Sequence, residues 1–241
     1  TNSLDSTFKS AVSSAYDGVD AVVTSGEDQP GIPASLRADI ASDAKVNDVN
    51  VTASQSVVMA NEQEEPFQVG GGTSTLSIWY APDHVVGAQH TIVDGEEPTR
   101  ADEIALNRLG AENFGISVGD RLLVVDPQDR HEMTVTGIYD QELDARNSLT
   151  AYMPEDAYLE RYTLEGTTES LIVSAAEGTS DEELVAHLSD TYEGIEVETG
   201  DALAEKITGS CGTMAIPARR ARKGNVRRSR PPMHTRPSDT S

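Results

Sequence analysis

The sequence predicts an α+β fold: a split ferredoxin-like βαβ…βαβ subdomain with an inserted β-rich subdomain. Three observations predict it. Residues 1–60 carry a strand–helix–strand pattern, and residues 155–205 repeat it. Residues 61–154 between them consist of short strand-like runs and turns. Two similar βαβ units that bracket a stretch of different character are most economically one domain made from both ends of the chain.

Leu4, Phe8, Ala11, Val12 and Ala15 have helical spacing, so Leu4–Tyr16 reads as an amphipathic helix that Gly18 ends. Val19–Ser25 is a Val-rich strand. Pro33 suits the first turn of a helix, with Ile32, Leu36 and Ile40 at i, i+4 and i+8. Val46–Met59 returns as one long strand or two, bent near Ser54–Ser56. Inside the insert, Thr75–Ala81 is a strand. The turn Asp126-Pro127-Gln128-Asp129 precedes another strand, Glu132–Ile138. Tyr152-Met153-Pro154 leads into a short helix, Glu155–Tyr162. Ser170–Ala175 then alternates, and Ser180 with Glu183 forms a capping box. Leu184, Leu188 and Tyr192 share the face of the helix that follows. Ile195, Val197 and Thr199 alternate with Glu196 and Glu198, as in a half-buried strand.

Gly95–Val125 forms a cassette. Glu103–Leu106 is a short strand, and Asn107 is a good N-cap for the helix Arg108–Phe114. Ala111 and Phe114 lie three apart on one face of that helix. Gly115 sits where a left-handed C-cap stops it. Gly119-Asp120 turns the chain into the strand Arg121–Val125. The ordered set Gly95, Pro98, Glu103-Ile104, Ala111, Phe114-Gly115-Ile116 and Val118-Gly119-Asp120 resembles the extracytoplasmic domain of MacB/FtsX-type ABC transporter permeases. There a G-x-x-P…E-hydrophobic strand leads to a short helix and a glycine–aspartate turn. Val19–Ser25, Val135-Thr136-Gly137-Ile138 and Ser170–Val173 resemble further strands of that family, so the resemblance covers residues 4–203. The membrane helices that flank the domain in the family are not in this sequence.

The formal charge is −23 and unevenly spread. The first 210 residues carry ten Lys and Arg against forty Asp and Glu, whereas residues 211–241 carry eight against Asp239 alone. Scattered acids of this density suit high salt, where the surface stays hydrated and self-repulsion is screened, and a halophilic source explains them; the rival is a surface for cations or basic partners. The acidic body repels phosphates, which argues against a nucleic-acid partner. Residues 206–241 read as a disordered basic tail. It is either a true arm for anionic lipid or nucleic acid, or a non-native end. Cys211 is the single cysteine, so no intrachain disulfide and no cysteine zinc site can form. No apolar stretch nears the roughly 20 residues that span a bilayer. Without an initiator Met or a signal peptide, the sequence reads as a piece of a longer or processed chain.

Residues that carry chemistry do not converge in the sequence. His84, His90, His131 and His187 make no H-E-x-x-H, although His84 and His90 are close enough to meet across a loop. The acid pairs Glu64-Glu65, Asp102-Glu103 and Asp181-Glu182-Glu183 are expected by chance in so acidic a chain. Gly70-Gly71-Gly72-Thr73 lacks the Lys of a phosphate loop, and Asp126, Asp129 and Asp140 lack EF-hand spacing. Trp79-Tyr80 is an apolar strand segment by default.

The expectation is therefore a non-enzymatic domain with no cofactor or metal. The resemblance implies a role in which the domain passes ATP-driven motion of membrane helices to a hydrophobic or peptide cargo. It implies two partners: an ATP-binding cassette subunit, reached through the membrane helices, and a second permease subunit as dimer mate. The chain would sit at the extracytoplasmic face of the cell membrane. Two alternatives stand beside it. One is a cell-surface module of a halophile that binds a ligand through Trp79-Tyr80 and the 61–75 loop. The other is a salt-adapted hydrolase in which two histidines converge on a carboxylate.

Overall fold

The structure, a computed structural model, describes residues 6, 9, 10, 12, 13, 15–142 and 144–212, the last three by backbone alone. Leu4, Phe8 and Ala11 of the expected first helix lie outside the described residues, as do the Cys211 side chain and residues 213–241. The described residues between 6 and 15 are helical.

Strands from the two ends of the chain share one four-stranded sheet. Its members are β1 (Ala21–Ser25), β3 (Val46–Val51), β12 (Leu171–Ala175) and β13 (Ile195–Glu198), in the order β13-β1-β12-β3 and antiparallel throughout. α1 (Ala34–Ala41) joins β1 to β3, and α4 (Asp181–Thr191) joins β12 to β13. Ala21, Val23, Val49, Val51, Leu171 and Val173 point to one face of this sheet and meet Ile40, Leu184 and Leu188. The period-2 strands and the i, i+4 helix faces therefore meet as the sequence pattern requires. A two-residue pairing, β2 (Ile32–Pro33) with β11 (Thr167–Thr168), closes one end.

The second lobe is a closed barrel. β4 (Ser54–Ala60), β5 (Ser74–Trp79), β10 (Thr150–Pro154), β7 (Glu103–Asn107), β9 (Arg130–Asp140) and β8 (Arg121–Val125) pair in that order, and β8 pairs again with β4. Two pairings, β5–β10 and β7–β9, are parallel. β6 (Thr91–Gly95) lies outside this ring and pairs with β9 alone. Closure removes the free edges that an open β-rich insert would expose.

Several expectations need correcting. The chain enters the barrel at Thr52-Ala53, not after residue 60, because the Val46–Met59 run splits there and Ser54–Ala60 pairs with β5 and β8. β6 was not anticipated. Its sequence, TIVDG, is exposed at nearly every position and has no buried alternation to read. α5 (Gly200–Gly212) runs through residue 206, where a disordered tail was expected to begin. Thr199, taken for the end of a strand, caps it by accepting the Ala202 N–H at 3.1 Å. Ser180 caps α4 through the Glu183 N–H at 3.2 Å, but the reciprocal half of the capping box is missing, because the Glu183 carboxylate pairs with Lys45.

Two aspartates, Asp126 buried and Asp43 half-buried, pin helices in place. Asp43, after α1, holds His187 (2.9 Å) and the Tyr192 hydroxyl (2.9 Å) of the α4 region. Asp126 closes the β8–β9 turn by accepting the Gln128 and Asp129 N–H groups at 2.8 Å each. Its other oxygen meets His131 at 3.2 Å and the hydroxyl of Tyr162, in α3 (Glu155–Tyr162), at 2.9 Å. Burial works to raise the Asp126 carboxyl, but the Asp129 and Gln128 N–H groups with Tyr162 and His131 outweigh it and hold it below its ordinary 3.8. A carboxyl whose native pKa is depressed adds stability above its unfolded value and loses it as pH falls through the native value. Asp126→Asn is therefore expected to cost about 1–3 kcal/mol at pH 7. The gap to wild type should shrink as pH falls below 3.8, and denaturant midpoints at neutral and acid pH check this.

Candidate functional site

Three of the residues singled out in the sequence, Gly95, Gly119 and Asp120, meet at one spot on β9. β8 takes the first half of one edge of this strand (residues 130–134) and β6 the second half (residues 137–140). Where one partner ends and the other begins, irregular backbone supplies the bonds. The Gly119 N–H donates to Val135 O at 2.8 Å, Val135 N–H to Asp120 O at 2.9 Å, and Glu96 N–H to Thr136 O at 2.8 Å. Gly95 has φ +75°, and a Cβ there would lie 2.1 Å from Thr136 O and 2.9 Å from Val118 Cγ2. Gly137 is tight for the same reason, since a Cβ there would fall 2.4 Å from Glu96 O. The sequence reading placed Gly137 in a family strand without seeing this role.

The other singled-out residues lie in the turns, strand and helix between Gly95 and β8. Asp120 turns back to accept the Ser117 N–H at 2.8 Å, and Gly119 has φ +96°. Gly115 ends α2 (Arg108–Phe114) in the left-handed conformation, as expected, while the Ile116 N–H reaches Ala111 O at 2.9 Å. Ala111 is buried, and Phe114 packs on Phe67 with centroids 5.6 Å apart. Pro98 is buried, and Val118 is partly exposed. Glu103 folds over the 98–102 turn and accepts Thr99 N–H (2.8 Å), Arg100 N–H (3.0 Å) and the Thr99 hydroxyl (3.2 Å). The Thr99 N–H, with the other donors and the Arg100 guanidinium, holds the Glu103 carboxyl below its ordinary range against the opposing effect of burial.

One motif neighbour behaves differently from its expectation. Asn107 occupies the N-cap position of α2 but does not cap it. Asp144 does so, accepting the Leu109 N–H at 2.7 Å. The fully buried Asn107 amide instead bonds Asp144, Ser148 O and Thr150 N–H, tying β7 to the 144–150 loop. Such a long-range partner leaves no trace in local spacing.

The second feature of note is the joint between the lobes. Tyr80, just past β5, accepts the Val51 N–H of β3 at 2.7 Å and donates to Glu155, which also pairs with Arg37 of α1. Val51 belongs to the small sheet and Arg37 to the helix packed on it, Tyr80 and Glu155 to the barrel side, so one partly buried knot spans both. Burial, then the neighbouring Glu155 carboxylate, push the Tyr80 phenol well up, so it stays a donor. Beside the knot lies a cleft of about 980 Å³, bordered by Asn50, Ala53, Tyr80, His90, Tyr152 and Ile172.

The other singled-out residues do not assemble a catalytic group. His131 and His187 each meet a separate aspartate, and His84 lies 3.4 Å from Asp48. His90 bonds the Tyr152 hydroxyl at 2.8 Å within an aromatic group that includes Trp79 and Tyr139. Trp79 is buried there and Tyr80 sits in the knot, so the pair forms no common platform. Gly71 and Gly72 take positive φ in the turn before β5. Among the described residues no group of three or more His, Cys, Asp or Glu is placed to hold a metal. No described helix is long and apolar enough to cross a membrane.

A small sheet with strands from both sides of the barrel in sequence, a barrel inserted in it and a glycine-lined seam make up one α+β domain. The periplasmic region of MacB from Actinobacillus actinomycetemcomitans has this fold, with a TM-score of 0.55 at 12% identity over 82% of this chain and 97% of that one. So has the extracellular domain of the noncanonic ABC-type transporter YknZ from Gram-positive bacteria, with a TM-score of 0.50 at 16% identity over 74% of this chain and 98% of that one. No curated protein matches the sequence. The profile of the MacB-like periplasmic core domain matches residues 1–191, and the chain belongs to that family. It thus resembles the periplasmic or extracellular domains of ABC transporter permeases.

The seam yields a graded prediction. Gly95→Ala meets both a left-handed backbone and a 2.1 Å clash with backbone, whereas Gly115→Ala meets only φ +68° with open space around it. Denaturant unfolding is expected to register a loss of about 1 kcal/mol for Gly115→Ala and well over 2 kcal/mol for Gly95→Ala.

Proposed function

We propose that this domain is a mechanical relay of an ABC transporter permease. Motion of the membrane helices, powered by ATP hydrolysis in a separate cassette subunit, enters at the small sheet and is passed through the joint to the barrel. The barrel moves against that of a second permease subunit and so expels or extracts a hydrophobic or peptide cargo. The domain contributes no catalysis and needs no cofactor. The observation that carries this reading is the architecture: both chain ends meet in one sheet, and the barrel hangs from it by two crossings and the Tyr80–Glu155–Arg37 knot. Such a layout suits rigid-body displacement of one lobe by the other.

The test uses the full-length permease with its cassette subunit. Replacing residues 54–154 by a short Gly-Ser linker is expected to leave assembly and basal ATP hydrolysis intact, since both rest on the membrane helices, and to abolish stimulation by hydrophobic peptides. Undiminished stimulation without the barrel would contradict the relay. The acidic surface is read as an adaptation to salt. The thermal midpoint is then expected to rise by about 10 °C or more from low salt to molar KCl, the equivalent of a few kcal/mol. A flat profile would contradict it.

A further inference from the structure

Register across the small sheet sets Asn50, Ile172, Val22 and Glu198 in one row. Their neighbours Val49, Val51, Leu171, Val173, Ala21 and Val23 face the main core, so this row faces the other way. Asn50 is nevertheless only 2% exposed. A buried primary amide needs a partner for each end, and segment 81–90 of the barrel lobe supplies both. The Asn50 Nδ2 donates to His84 O at 2.9 Å, and its Oδ1 accepts the Val86 N–H at 2.6 Å. One side chain thereby bonds the backbone of two residues of a turn-and-bend segment, His84 and Val86.

The docking is completed by packing. Val86 is 4% exposed and inserts between Val19 and Val22, with Ile172 and Leu203 around it. Gly87, at φ +85°, lies so close that a Cβ would be 3.0 Å from Val19 Cγ2. Both ends of the segment return to the barrel side, one through Tyr80 in the knot and the other through His90, bonded to Tyr152 at 2.8 Å. The segment therefore leaves the barrel, crosses to the outer face of the small sheet and comes back, walling one side of the cleft.

We propose that residues 81–90 are a strap, a second non-covalent tether between the lobes beside the knot, and that the Asn50 amide is its fastening. Docked, the strap holds the cleft in the arrangement seen here. Undocked, it leaves the lobes joined by the two crossings and the knot alone, free to swing further apart. Two hydrogen bonds, the 3.4 Å contact of His84 with Asp48 of β3 and one apolar side chain form a small set beside either core, so release requires no unfolding of sheet or barrel. The inference rests on the reading that the lobes move relative to each other.

The test uses the full chain with Cys211→Ser and spin labels on Glu177→Cys in the small lobe and Gln128→Cys in the barrel. Amide exchange at Val86 reports docking, and the inter-label distance distribution reports lobe motion. Asn50→Ala removes both bonds, and Gly87→Ala loosens the fit without touching the sheet, so one folded variant suffices. The expected result is exchange at Val86 faster by about tenfold or more, with a broadened distance distribution. Unchanged exchange at Val86 in both variants overturns the fastening. Faster exchange with an unchanged distribution, while Glu155→Gln broadens it, overturns the strap and leaves lobe motion standing. A narrow distribution in every variant overturns both.

Discussion

Everything in this structure hangs on the pairing of β1 with β12. Ala21, Val22 and Val23 bond to Val173, Ile172 and Leu171, residues on the far side of the barrel in sequence. Closing so long a loop costs chain entropy that grows only slowly with length, and the apolar rows on the core face of the sheet offset it. Once those rows are paired, the chain has no choice but to emerge and return on the same side. The barrel is then a closed excursion from one sheet edge, connected by short spans at Thr52-Ala53 and after α3. Two spans of chain join the lobes, and the Tyr80–Glu155–Arg37 knot and the Asn50 amide are the non-covalent contacts that bridge them.

The barrel solves a second problem, in which one strand serves two partners along one edge. β9 can pass from β8 to β6 only if other backbone fills the gap between them. Gly95, Gly119 and Asp120 fill it, and Gly95 with Gly137 permits an approach that no Cβ would allow. At these positions the glycines and Asp120 serve the folding of the barrel.

Much of this was legible in the sequence because it is local. The apolar rows of β1 and β12, the i, i+4 faces of α1 and α4, the left-handed stop at Gly115 and the Asp126 turn are all fixed by neighbours a few residues away. What could not be read is what depends on distant partners. Asp144 caps α2 in place of Asn107 from the loop between β9 and β10, distant only in sequence. β4 belongs to the second sheet because β5 and β8 are there to receive it. Asn50 looked like one polar residue in the run VNDVNV, yet it fastens a segment more than thirty residues on. The aromatic pair Trp79-Tyr80 read as a unit in sequence, but strand alternation sends one ring to the barrel's outer face and the other into the knot.

The account stands or falls on whether the lobes change their separation during the transport cycle. Distances between a label at Glu177 and one at Gln128, measured in the full-length permease reconstituted with its ATP-binding subunit, address this directly. A shift in the distance distribution between the nucleotide-free and ATP-trapped states, reversed on hydrolysis, is what a relay requires. A single unchanged distribution in both states would mean that the domain moves as one rigid piece, and the two-lobe relay would have to be abandoned.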